Sequence, residues 1–134
     1  MSSAGGPMSE TSIRLALAAS VATGSLARQA LRQLLTSARV DTDTSETAVL
    51  LATELVTNAV EHGRGATYLN ANVEDRMIRL EVTDSSTVAP RPNTEVTELD
   101  ERGRGLLLID ALASRWGVRP RSDGKTVWCE LDLA

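Results

Sequence analysis

Two hydrophobic patterns follow one another in the first part of the chain. Ile13, Leu15 and Leu17 alternate with polar or small residues, which predicts a short strand. Apolar residues then recur at helical spacing and predict a helix over about 21–37. Residues 1–11, which precede both, are small and polar and include two glycines and a proline. That composition predicts a disordered tail.

A second helix is predicted from the stretch 41–46, DTDTSE, which is typical of a helix start. Asp43 and Glu46 have the three-residue spacing of a capping box. We expect this helix to reach His62 and to end at Gly63, because glycine accepts the left-handed conformation that often follows a last turn.

The second half of the chain predicts two strand pairs. The first pair is 66–73 with 77–83, joined by a turn at 74–75. The second pair is 116–118 with 126–133, joined by a turn at 122–124, and a helix at 106–112 precedes it. From Ser85 to about Gly105, over about 20 residues, no hydrophobic periodicity is present. A loop of that length is unusual in a compact domain, so it indicates either a functional lid or wrong element assignments.

The order of these elements predicts the fold class. Paired antiparallel strands and grouped helices are typical of an α+β fold. We expect a two-layer sandwich in which helices cover one face of a mixed, mostly antiparallel sheet. A doubly wound α/β fold would require strict alternation of strands and helices, which this order lacks.

Composition narrows the class of protein. A length of 134 residues and a hydrophobic fraction of 42 % suit one domain with a proper core. A net charge of -4 argues against a nucleic-acid binder, which normally carries a basic excess. Cys129 is the only cysteine and His62 the only histidine, which excludes an intrachain disulfide and a cysteine-rich metal site. With no signal peptide and no apolar run of ~20 residues, we expect a cytoplasmic protein without a membrane partner.

The second helix carries the first candidate site. Glu54, Asn58 and His62 are spaced four apart and so lie along one helix face. Spacing of this kind most often marks an ordinary solvated face. Alternatively, a carboxylate one turn before a carboxamide offers the oxygen ligands that Mg²⁺ takes together with phosphates and water. Leu50 interrupts the same polar face, which suggests that something covers it.

Two further segments are candidate ligand-binding sites. Gly103-Arg104-Gly105 directly precedes a predicted helix, where flexible backbone and unpaired N–H groups suit a phosphate. The segment lacks the spacing of a P-loop and of the dinucleotide fingerprint, and glycines are common in any turn. Asp84 ends an apolar strand, where it can accept a hydrogen bond from a base amino group or simply begin an Asx turn.

Together these segments resemble the GHKL group of ATP-binding proteins, which have the Bergerat fold, and within it the anti-sigma-factor serine kinase family. ELVTNAVEH from Glu54 resembles the N box, and Asp84 after LEVT resembles the start of the first glycine box. GRGLLLID from Gly103 resembles the second glycine box, and GKTVW from Gly124 the final strand. The resemblance spans about 12–133, and the order of four segments is more specific than any one of them.

The resemblance implies a role for each matched position. Asn58 would ligate Mg²⁺, and Glu54 would act as general base or position the attacking group. Asp84 would read the adenine amino group of ATP, with Thr126 in support. Residues 85–104 would form a lid over the nucleotide, within a histidine-kinase-like ATP-binding domain.

The second glycine box would hold the phosphates. The positions involved are Gly103, Arg104, Gly105 and Leu106 of the box, with Arg102 directly before it. One of the two arginines would meet the terminal phosphate, and the match does not decide which. His62 fits the N box without an assigned role. The run after Asp84 is SSTV, where many relatives have Asp-x-Gly-x-Gly, which leaves open whether nucleotide binds weakly or needs a partner to complete the pocket.

Two functions agree with this resemblance. A protein serine/threonine kinase would phosphorylate an anti-anti-sigma (STAS-type) protein and otherwise sequester a sigma factor. An ATP-dependent binding module would hold its partner without catalytic turnover. Relatives commonly dimerise, so a homodimer is a further expectation. A histidine sensor kinase is disfavoured, because no histidine precedes the second helix.

Overall fold

A computed structural model describes residues 11–17, 21–62, 67–85 and 107–133 of the protein. The expected tail (1–11) and lid (85–104) lie outside these residues, apart from Thr11 and Ser85. The expected helix stop at Gly63 lies outside them as well.

The described elements follow the predicted order. They are β1 (Ser12–Leu17), α1 (Val21–Ser37), α2 (Thr42–His62), β2 (Thr67–Glu74), β3 (Met77–Asp84), α3 (107–112), β4 (Arg115–Arg121) and β5 (Gly124–Asp132). The strands form one sheet in the order β1-β2-β3-β5-β4. This confirms the predicted α+β class, and each described strand pair is antiparallel.

The start of α2 differs from the prediction. Asp41 caps the helix: its Oδ1 atom accepts from the Thr44 backbone N–H and its Oδ2 atom from the Thr44 hydroxyl, both at 2.8 Å. The predicted box of Asp43 and Glu46 is therefore wrong. Asp43 lies inside the first turn, and Glu46 faces Arg32 of α1 in an exposed ion pair at 3.6 Å.

Both hairpin turns lie close to their predicted positions. The β2–β3 turn consists of Asp75 and Arg76, because Glu74 still pairs with Met77 in the ladder. The β4–β5 turn is limited to residues 122–123, since the next residue already belongs to β5.

The helices cover one face of the sheet. α2 packs against β2, β3 and β5, and α1 packs against α2, β1 and β2. Side chains on β3 alternate accordingly: Ile78, Leu80 and Val82 are buried towards the helices, whereas Arg79 and Glu81 point to the other face. The buried core of the described residues is built from Leu, Ile, Val and Ala with Cys129. None of the described helices is long and apolar enough to cross a membrane.

The other face of the sheet carries paired charges. Arg79 donates to Glu81 at 2.8 Å and to Glu130, and its guanidinium lies 4.7 Å from the ring centre of Trp128. Arg115 donates to the second oxygen of Glu130 at 2.7 Å. This hydrogen bond from Arg115 lowers the pKa of Glu130. The two arginines beside Glu130 therefore favour its charged form.

Candidate functional site

One end of the sheet carries a row of polar side chains on its helix-facing side. The register places Thr67 of β2 opposite Asp84 of β3, and Asp84 opposite Lys125 of β5. Directly opposite residues point to the same face of a sheet. This is the face of the core, because Val82 and Val127 lie two positions away and are buried.

Asp84 is a buried carboxylate with a charged partner. Only 2 % of the residue is exposed, and Lys125 Nζ donates to its Oδ2 atom at 2.9 Å. A carboxylate taken out of water requires such compensation, since an unpaired buried charge is strongly unfavourable. The sequence analysis identified Asp84 and missed Lys125. The signal was in β5, where Val127 and Cys129 are apolar and share the parity of Lys125.

Thr126 lies on the opposite face of the sheet from Asp84. It stands across from Thr83, and the two hydroxyl oxygens are 2.9 Å apart. Successive residues of a strand alternate between faces, so the side chains of Thr126 and Asp84 point in opposite directions. The structure therefore does not bring together the pair that the resemblance implied, and Lys125 takes the place beside Asp84.

Gly124 fixes how β5 approaches Asp84. Its φ of 153° lies in a region that side-chain-bearing residues rarely adopt. A Cβ atom at this position would lie 2.0 Å from the carbonyl oxygen of Asp84 and 2.9 Å from Cα of Ser85. The absence of a side chain thus permits the backbone contact that holds Lys125 and Asp84 in the same row.

Glu54 and Asn58 lie at the border of the polar and buried sides of α2. Both are half-buried, between the exposed Leu50 on one side and the buried Leu51 and Leu55 on the other. Because they are four residues apart, they occupy successive turns of the same helix face. The structure therefore places the two N-box candidates next to each other, at the edge of the helix layer.

The last turns of α2 lie near the end of the sheet that carries Asp84. α2 ends at His62 and β2 begins at Thr67, so their Cα atoms are at most about 18 Å apart. Asn58 is one turn before His62, and Thr67 stands opposite Asp84. The short connection thus limits how far the end of α2 can lie from the end of the sheet that carries Asp84. The side chain of His62 lies outside the described part of the chain.

The predicted phosphate-binding positions lie outside the described residues. They are Arg102, Gly103, Arg104, Gly105 and Leu106. The described chain resumes directly after them with α3, in which Ile109 is buried in the core. Asp110 accepts a hydrogen bond from Trp116 Nε1 at 2.9 Å, which ties α3 to β4. The segment between Ser85 and α3 therefore begins beside Asp84 and ends at a helix anchored on the sheet.

The donor set suits magnesium that arrives with a nucleotide. Among the described residues, no three His, Cys, Asp or Glu side chains come together as a metal site. Mg²⁺ bound with nucleotide takes most of its ligands from phosphate and water and needs few protein oxygens. The carboxamide of Asn58 and the carboxylate of Glu54 offer oxygens of that kind.

The domain is thus a helix-covered antiparallel sheet with a buried carboxylate at its end and an acidic and an amide group on the neighbouring helix. The profile described as "Histidine kinase-like ATPase domain" matches residues 17–130. The chain therefore belongs to the histidine kinase-like ATPase domain family, and this membership implies that it binds ATP. The predicted family resemblance is confirmed.

Two known proteins resemble this chain further. The uncharacterised protein SCO4941 of Streptomyces coelicolor is 39 % identical over 82 residues, which are 58 % of this chain and 78 % of that protein. The crystal structure of the RsbU and RsbW domains of Rv1364c from Mycobacterium tuberculosis matches with a TM-score of 0.70 and 23 % identity. That match covers 91 % of this chain and 32 % of the solved chain, and it confirms the predicted fold.

Proposed function

We propose that the chain binds Mg-ATP and acts as an anti-sigma-factor serine kinase. It transfers the γ-phosphoryl group of ATP to a serine of an anti-anti-sigma (STAS-type) protein. When it does not phosphorylate that protein, it sequesters a sigma factor. The Rv1364c structure includes a domain named RsbW, and the likeness in fold to it supports this assignment.

The observation that carries the proposal is the buried carboxylate of Asp84 at the end of β3. In an ATPase domain, an acceptor held at this place suits the exocyclic amino group of adenine. Gly124 supports this reading, because its missing side chain keeps the strand ends close around Asp84. Thr126 has no part in the proposal, since it points to the other face.

The chemistry assigns separate roles to the two polar residues of α2. Asn58 ligates Mg²⁺, which neutralises charge on the phosphates when it is bound. Glu54 accepts the hydroxyl proton of the substrate serine while the serine oxygen forms a bond to the γ-phosphorus. The bond from that phosphorus to the β,γ-bridging oxygen breaks, and ADP leaves. The arrangement contributes mainly by positioning, as is general for phosphoryl transfer.

The second glycine box completes the proposed site. Gly103 and Gly105 cradle the phosphates, Leu106 is the next position of the box, and Arg102 or Arg104 meets the terminal phosphate. Protein partners are the STAS-type substrate and a sigma factor, and a second copy of the chain is a further proposed partner.

Binding is tested first, by calorimetric titration of the purified chain with ATP in the presence and absence of Mg²⁺. Saturable binding that requires Mg²⁺ is expected. An absence of binding at millimolar ATP would overturn the proposed nucleotide site.

Transfer is tested with γ-labelled ATP and purified STAS-domain proteins from the source organism. Glu54→Gln is expected to bind ATP with the normal affinity and to lose label transfer by about a hundredfold or more, because the general base is missing. Glu46→Gln is the matched control, since Glu46 is exposed on the same helix and pairs with Arg32. ATP binding with no labelled partner would leave a binding module without turnover.

A further inference from the structure

We propose that Lys125 is a second base-recognition residue, which donates a hydrogen bond to N1 of adenine while Asp84 accepts one from the N6 amino group. The inference rests on the proposed ATP site and adds to it a specific contact with the base. Lys125 directly precedes Thr126, the residue that the family resemblance implied as the support of Asp84.

The position of Lys125 follows from the sheet. Lys125 stands directly opposite Asp84, so both side chains project from the helix-facing side at the same end. At the neighbouring Gly124 the backbones of β5 and β3 are in contact, which fixes the position of the Lys125 Cα atom relative to Asp84. With 23 % of its side chain exposed, Lys125 is partly accessible to solvent, whereas Asp84 beside it is buried.

The pair presents an acceptor and a donor side by side. The carboxylate of Asp84 only accepts, and an ammonium group only donates, with three hydrogens available. In the described part of the chain the ammonium of Lys125 has Asp84 as its one hydrogen-bond partner, at 2.9 Å. An ammonium in that geometry has further hydrogens to give to a ligand.

Adenine carries the complementary pattern. Its N6 amino group donates, and the adjacent ring atom N1 accepts. A neighbouring donor and acceptor read adenine in the same manner when a carboxamide of Asn or Gln contacts two adjacent groups of the base. Because one member of this protein pair is a cation, the contact to N1 is a charge-assisted hydrogen bond, which is stronger than a neutral one.

A purely structural role for Lys125 makes a different prediction. As counter-ion alone it would neutralise the buried carboxylate of Asp84 and never contact the base. Removing it would then weaken the binding of every adenine nucleotide by the same factor. A ligand that lacks only N1 separates the two roles.

The test is calorimetric titration with ATP, 1-deaza-ATP and 7-deaza-ATP, all with Mg²⁺. For the wild-type chain we expect 1-deaza-ATP to bind about tenfold to a hundredfold more weakly than ATP, because it loses a hydrogen bond to a charged group. 7-Deaza-ATP keeps N1 and N6 and serves as the matched ligand control, with an affinity close to that of ATP.

Lys125→Met is expected to bind ATP and 1-deaza-ATP with equal affinity, and Lys125→Arg is expected to restore a preference for ATP. Wild-type chain that binds ATP and 1-deaza-ATP equally would overturn the inference without any variant, and so would a preference that survives in Lys125→Met. Wild-type chain that binds neither nucleotide would overturn the proposed ATP site itself, together with this inference.

Discussion

At Gly124 the backbone of β5 touches the backbone of β3, and we predict that Gly124→Ala disturbs both fold and site. The added Cβ would lie 2.0 Å from the carbonyl oxygen of Asp84, which forces the strands apart. A loss of about 1–3 kcal/mol in unfolding free energy is expected from overpacking of this kind. Urea unfolding measures that loss, and calorimetry should show weaker ATP binding.

Gly24→Ala is the matched control for that substitution. Gly24 lies in α1, where a Cβ would meet only the end of the Arg28 side chain, at 3.2 Å. Alanine is a better helix former than glycine, so this variant should be as stable as the wild-type chain or more so. Equal losses in both variants would show that the contact at Asp84 is not the cause.

Asn58 gives a second prediction at this scale. We expect Asn58→Ala to abolish Mg-dependent ATP binding and to leave the fold intact, since the side chain is half-buried at the helix border and does not belong to the buried core. Calorimetry measures the binding, and circular dichroism checks the fold. Thr57→Ala, on the exposed side of the same turn, should bind as the wild-type chain does. Unchanged affinity in Asn58→Ala would remove this residue from the magnesium site.

At the scale of elements, patterns predicted which helices and strands form but not how they begin. β2 and β3 alternate cleanly and α1 repeats at helical spacing, so their existence followed from periodicity. Two acidic residues two apart, Asp41 and Asp43, both suit a helix start, and only backbone geometry decides between them. β4 extends beyond its predicted 116–118 because pairing with β5, and not an apolar pattern, sets its length.

The same limit explains the candidate site. Asp84 and Asn58 were found from motifs, which record residue type and order. Thr126 and Lys125 differ by one position, and one position in a strand exchanges the two faces of a sheet. Motif matching favoured the threonine, whereas strand parity, anchored on the buried Val127, assigns the lysine to the site face.

The cap of α2 carries a prediction on pH. The hydrogen bond that the Thr44 backbone N–H donates to Asp41 lowers the pKa of this carboxyl below its ordinary value of 3.8. Since the folded-state pKa is the lower one, the cap stabilises the fold fully above the unfolded value and loses this contribution as pH falls through the folded value. Asp41→Ala should therefore lower the melting temperature at neutral pH, and this difference should shrink in strong acid.

Asp43→Ala is the matched control for the cap, because Asp43 is also acidic and exposed but lies inside the first turn. Thermal unfolding followed by circular dichroism compares the two variants across pH. If Asp43→Ala lowered the melting temperature more than Asp41→Ala, the helix would be capped as the sequence pattern first indicated.

At the scale of the whole molecule, the two faces of the sheet carry different kinds of side chains. One face packs on α1 and α2 and ends in the row of Thr67, Asp84 and Lys125. The other carries arginines and carboxylates in pairs, such as Arg115 with Glu130. The family could be predicted from sequence because four motifs occur in order along the chain. The placement of Asp84 and Lys125 side by side at one end of the sheet required the strand register.

This arrangement predicts that Mg-ATP stabilises the entire fold. A ligand that binds only the folded chain raises its stability by about 2.7 kcal/mol at a concentration a hundredfold above its Kd. Thermal unfolding should therefore shift upward by several degrees with Mg-ATP. Because Glu54 is assigned to the transfer step, Glu54→Gln should show the full shift. Asn58→Ala should show none that depends on Mg²⁺. A shift of equal size in both variants would mean that ATP binds without the α2 site, and that Asp84 and Lys125 hold the base on their own.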